Sequence, residues 1–181
     1  MQRNLSRRAL TGAEVDLAAS IFADSLDCTP VRLTRDSVMA FGAPKALRNT
    51  IHLRSDWHHF VGDSLNLTPE GRQTLIHELA HVWQYQNGGL AYIHGSLSAQ
   101  LVAWARTGSR GGAYRWRDAW QAQHPWMAWN PEQQAQAVEE YASAQWRIAD
   151  GEGTPMDART VEMLAENIEK VRRGEGATRF W

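Results

Sequence analysis

The chain has 181 residues, 43% of them hydrophobic and 22% charged, with a formal net charge of −1. Such a composition fits a single folded domain and excludes a disordered chain. Near-neutral charge without a long basic block argues against nucleic acid as the main partner, and no apolar stretch approaches the length of a membrane span.

Residues 1–10 read as a mobile basic arm. The stretch Ser6-Arg7-Arg8-Ala9-Leu10 is faintly similar to a twin-arginine signal, but Glu14 and Asp16 follow it where an apolar region is required. No cleaved signal peptide is therefore expected, which leaves a cytoplasmic location or export by a dedicated secretion machine. Thr11 and Glu14 then form a capping box, with Leu10 and Val15 at the staple positions. Leu17, Ala18, Ile21 and Phe22 give the first helix an apolar stripe to about Leu26. The single cysteine, Cys28, excludes an internal disulfide and a cysteine-based zinc cluster.

Val31 and Leu33 alternate with polar neighbours as a half-buried strand does, and Ile51 and Leu53 do the same. The two segments are expected in one small sheet, joined by a loop "DSVMAFGAPKALRN" that carries Gly42 and Pro44. Thr68-Pro69-Glu70 opens a second helix with a capping hydroxyl, a proline at the first position and an acid near the positive end. It should run to about Gln86 and stop at Asn87-Gly88-Gly89. "SLSAQLVAWART" reads as a third helix and "GSRGGAYRWR" as a glycine-rich loop or lid. Asn130-Pro131-Glu132 repeats the cap, proline and acid, and starts a fourth helix to about Ala149. A last helix from Asp157 to about Arg172 precedes a loose tail, so residues 11–172 form one domain and 173–181 the tail. Nine tryptophans suit a Trp-rich core, with some free to line a groove.

The second helix carries His77-Glu78-Leu79-Ala80-His81. Residues i and i+4 share a helix face, so both imidazoles can reach one ion about 2 Å away. Glu78 lies about 100° round the axis, beside the ion rather than on it, where it can serve as a base. Zinc needs a third protein ligand if one position is to stay open for water. His94, His124, Glu132, Glu139 and Glu140 are candidates. Glu132 and Glu139 share nearly one face of the fourth helix, and Glu140 points elsewhere, so spacing does not choose between the first two.

"GRQTLIHELAHVWQYQNGG" resembles the motif helix of zincin-like bacterial domains marked by an HELxHVxQ stretch, some of which accompany Vgr- and Rhs-type secretion-associated proteins. Strand, strand and motif helix follow in the same order. "NPEQQAQAVEEY" is similar to the E-x-x-A segment in which glutamate-zincins place their third ligand. The resemblance implies Glu132 as that ligand. Trp83-Gln84-Tyr85-Gln86 follows His81 where metzincins continue towards a third histidine, so a three-histidine site is not expected. The implied fold is α+β, mostly helical and zincin-like, with a small sheet packed beside the HExxH helix.

The expected function is a zinc-dependent hydrolase, a peptidase acting on a peptide or protein, with His77, His81 and Glu132 as ligands and Glu78 as general base. A His₂Glu set with an open position favours Zn²⁺ over oxygen-preferring Mg²⁺ or Ca²⁺. Tyr114, Tyr141 and His94 are candidate oxyanion donors. The alternative is a non-catalytic adaptor or cargo domain of the same fold, partnered by secretion-system proteins. An intact Glu78 favours the enzyme, because a purely structural site needs no base.

Overall fold

The computed structural model describes residues 7–35, 44–54, 58–62, 65–90 and 115–177. Among these, four strands and five helices alternate early and then give way to helices. They are β1 (Arg7–Ala9), α1 (Gly12–Phe22), β2 (Arg32–Arg35), β3 (Lys45–Leu47), β4 (Thr50–Leu53), α2 (Pro69–Gly88), α3 (Trp116–Gln121), α4 (Pro131–Ala149) and α5 (Pro155–Arg172). Short 3₁₀ turns follow α1 at Ala23–Ser25 and precede α4 at Trp126–Ala128. The fold is α+β and mostly helical, with a small mixed sheet in the order β1-β2-β4-β3. No helix among the described residues is long and apolar enough to cross a membrane.

The two expected strands are direct neighbours, parallel, with Leu33 opposite Ile51. That register puts Leu33, Ile51 and Leu53 on one face, where all three are fully buried. Leu75, Ile76, Leu79 and Val82 of α2 join them in the core, together with Ile21 and Phe22 of α1 and Leu164, Ile168 and Val171 of α5. α2 packs against β3, β4 and α4, and α4 packs in turn against α5. Trp83 anchors this layer: its ring is buried and Nε1 donates to Val171 O at 3.1 Å and to Ser25 Oγ at 3.0 Å. Trp116, Trp126 and Trp129 are buried too, so among the described residues most tryptophans join the core, while Trp120 is exposed.

Three expectations need correction. Residues 7–9 are not part of a mobile arm but pair with β2 as an edge strand. Arg8 holds them there: its guanidinium binds both oxygens of buried Glu14 and the Leu65 carbonyl. The tail is not loose from its start, since Ala177 is buried and the Gly176 carbonyl accepts a hydrogen bond from Gln134. The linking loop contains a strand, because Lys45–Leu47 turns back on β4 through Arg48-Asn49. Arg48 stands at φ 54°, a left-handed position that hairpins normally fill with Gly or Asn. Smaller differences follow. Val15 is exposed while Leu10 packs on the core, and Trp116–Arg117, expected in a glycine-rich loop, begin α3. The expected third helix lies outside the described residues.

The helix caps match their residues. Thr11, Asn130 and Thr154 each close a capping box, and Thr68 caps α2 with Pro69 at its first position. The first turn of α2 is also seated from outside. His59 O accepts from Thr68 N at 3.0 Å, and a Cβ on Gly71 would stand 2.2 Å from that same oxygen. Alanine would gain about 1 kcal/mol in helix propensity, but it would drive a backbone carbonyl out of place. Gly71→Ala should therefore destabilise the protein by about 1–3 kcal/mol, read as a lower urea midpoint with an unchanged slope.

Candidate metal centre

α2 and α4 meet so that the acid of one first turn lies over the paired histidines of the other. His77 Nε2 and His81 Nε2 each stand 3.5 Å from Glu132 Oε2. The three donor atoms lie within 4.8 Å of one another, and His77, His81 and Glu132 form a group that can hold a metal ion. Ligand atoms on a tetrahedral zinc at about 2.0–2.1 Å stand roughly 3.3–3.4 Å apart, close to the two separations found. The imidazoles cross edge to face, with centroids 5.1 Å apart and planes at 77°, and both Nε2 atoms face the same Glu132 oxygen.

Each remaining ring nitrogen is held. His77 Nδ1 lies 2.9 Å from Glu139 Oε2, and His81 Nδ1 lies 2.8 Å from Gln84 Oε1. Carboxylate and amide oxygens accept, so each Nδ1 that donates to them leaves its Nε2 lone pair for an ion. Of the two acids that spacing left open, the structure brings Glu132 to both histidines and puts Glu139 behind His77. Glu139 thus has a role that spacing did not suggest.

Glu78 is buried beside this group. The Ala46 backbone N–H donates to its carboxyl, while Oε2 has no hydrogen-bond partner among the described residues. Burial raises its pKa above the usual carboxylate value, against the lowering effect of the two histidines. Ala46 lies on β3, the last strand of the sheet, and an N–H given to Glu78 is turned away from β4. Glu78 therefore touches the edge strand, an arrangement that two expected strands could not reveal.

The other candidates stand elsewhere. Glu140 is bound to Arg117 Nη1 at 2.7 Å, and exposed His124 lines a surface pocket with Trp120 and Lys170. The Tyr141 hydroxyl accepts from Gln145 at 3.0 Å. His94 and Tyr114 lie outside the described residues. Sequence reading missed Gln84 as a partner of His81, although the three-residue spacing puts both on one helix face.

The chain is similar to the type VI secretion system spike protein VgrG2b of Pseudomonas aeruginosa, with 33% identity over 88 residues. The match covers 45% of this chain and 8% of that protein. No family model and no solved structure matches.

Without an ion, the site stores charge in its histidines. Burial disfavours the imidazolium of His77, but the hydrogen bonds to Glu132 and Glu139 outweigh it and push the pKa up to about 10. His81 is likewise raised, by Glu132 against burial, and Glu132 is held well below its ordinary value by the histidines despite burial. A raised histidine contributes stability that is complete below its unfolded pKa and is lost as pH climbs through the folded one. Urea melts of chelated protein should show a midpoint that falls between about pH 6.5 and about pH 10. Added zinc should reverse this trend, because the proton that competes with it becomes scarcer over the same interval. A chelated protein whose midpoint rises across that interval would contradict the protonated pair.

Proposed function

We propose that the protein is a zinc-dependent peptidase that works in association with a bacterial secretion system. The observation that carries the reading is the convergence of two imidazoles and a buried carboxylate beside a second carboxyl, one oxygen of which has no partner among the described residues. His77, His81 and Glu132 would hold the ion. When bound, zinc supplies Lewis acidity towards a carbonyl and lowers the pKa of a coordinated water towards neutrality.

The chain's own residues do the rest. Glu78 Oε2 takes a proton from the attacking water and returns it to the leaving amine, while the Ala46 N–H fixes the carboxyl in place. A carboxyl raised by burial suits both halves of that transfer better than one at its ordinary value. β3 gives the reason to read the substrate as a peptide. An extended chain laid alongside this strand, outermost among the described residues, would run past Glu78. The similarity to a secretion-system spike protein supports the association, with this chain as a cargo or passenger domain. If the protein binds zinc and docks to such a system but cleaves nothing, the adaptor reading takes over.

Wild-type protein purified without a histidine tag should contain about one zinc per chain. Glu132→Ala should lose it, whereas Glu139→Ala should keep it with an affinity lowered about 10–100-fold, as expected for a partner behind a ligand. Full occupancy in Glu132→Ala and an empty site in Glu139→Ala would reverse the ligand assignment.

Glu78→Gln should retain zinc and melting temperature but lower cleavage of an unfolded protein substrate by about 10²–10⁴-fold. Gln has the same shape and cannot accept the proton. Wild-type rates in that variant would remove Glu78 from the chemistry.

A further inference from the structure

The glutamine that ends His77–Gln84 takes no part in the chemistry above, yet it is 0% exposed, and Gln134 of α4 is 1% exposed. Buried amides of this kind are held by their hydrogen bonds, and here the bonds have a direction. Gln134 Nε2 donates to two main-chain carbonyls, Trp126 O and Gly176 O, both at 2.9 Å. A carbonyl accepts and never donates, so this amide cannot turn over, and its oxygen must face Gln84. Gln84 Nε2 donates to that oxygen and to Pro131 O, both at 3.0 Å. Both hydrogens of Gln84 are thereby committed, and its oxygen is left to face His81 Nδ1 at 2.8 Å. The nitrogen opposite an accepting oxygen must carry a proton. Main-chain carbonyls, two links away, thus decide which nitrogen of His81 keeps its proton when the other is given to an ion. The remaining nitrogen, Nε2, is the one that faces Glu132.

We propose that Gln84 and Gln134 are positioning residues: a buried amide relay that keeps the proton of His81 on Nδ1, presents Nε2 to the metal, and ties this ligand to the C-terminal segment at Gly176. The inference rests on the metal-centre reading above. It makes Gly176 part of the centre although Gly176 is not in the group that can hold the ion. Gly176 is keyed in tightly. Its φ is +80°, and a Cβ there would stand 2.4 Å from Trp126 Cδ1, so any side chain displaces the carbonyl that Gln134 needs. The relay also passes through Pro131 O, one residue before Glu132, so it fixes the spacing between two ligands on different helices.

The test compares zinc-loaded wild type with Gln84→Met, Gln134→Met and Gly176→Ala by chelator competition at one pH and by ¹H–¹⁵N spectra of the imidazoles. In wild type, His81 should show a protonated, slowly exchanging Nδ1 with zinc on Nε2. Gln84→Met should weaken zinc binding about 10–100-fold. Gln134→Met and Gly176→Ala touch neither ion nor ligand, yet both should weaken binding and expose the Nδ1 proton to exchange. A role in packing alone would lower the melting temperature of these variants and leave the imidazole spectrum unmoved. If Gln84→Met fails to fold, the wild-type spectrum and Gly176→Ala still decide. Zinc on Nδ1 of His81, or folded variants with wild-type affinity and exchange, overturns the relay and leaves the metal centre standing. A wild type that binds no zinc overturns both.

Discussion

A carboxylate buried between two helices is unfavourable unless positive charge meets it there, and the crossing of α2 with α4 is organised around that requirement. Glu132 is 3% exposed, with both imidazoles of α2 within 3.5 Å of one oxygen. Protons on the histidines satisfy it in the metal-free protein, and a divalent ion does so when bound. Either way a cation occupies the crossing. The same contact can therefore be balanced by protons or by a metal ion.

Close approach of the two helices makes this contact possible. α4 turns Ala135, Ala137, Val138, Ala142 and Ala144 into the core, and small side chains let neighbouring axes come near. α2 answers with Leu75, Ile76, Leu79 and Val82 on its apolar side, while Trp83 fixes its far end to α5. The sheet lies against the remaining side of α2 and brings the Ala46 N–H to Glu78. Glu78 and the two histidines thus meet different partners, Glu78 a strand and the histidines the helix α4. A change in one partner need not disturb the other.

What the sequence makes legible follows from how local each feature is. The His77–His81 pair depends on one helix, and Thr68, Pro69 and Glu70 mark where that helix starts, so spacing alone places both imidazoles. The choice between Glu132 and Glu139 depends on the depth at which α4 crosses α2, and no spacing within α4 encodes that. β3 is hidden for another reason: three residues show no alternation, and its turn uses Arg48 where the usual signal is Asn-Gly. Arg8 reads as a solvated charge, since nothing nearby in sequence shows that Glu14 will be buried while it also closes a capping box. Gln84 was within reach, because it follows His81 at helical spacing, but its other partners come from Pro131 and Gln134 across the core.

The two histidines are supported by unlike groups, and charge explains the difference. Glu139 stands behind His77 as an anion, which strengthens that imidazole as a donor to a cation. A second anion behind His81 would add to Glu132 and Glu78, both already buried in the same small volume, and like charges in a weakly screened interior repel strongly. An amide at Gln84 orients the ring without adding charge. Its neutrality also lets it donate to Pro131 O and Gln134 Oε1, two oxygens that a carboxylate at position 84 would repel. One imidazole is tuned by charge and the other is held by geometry, and the chain reaches both ends with side chains that differ by a single amide.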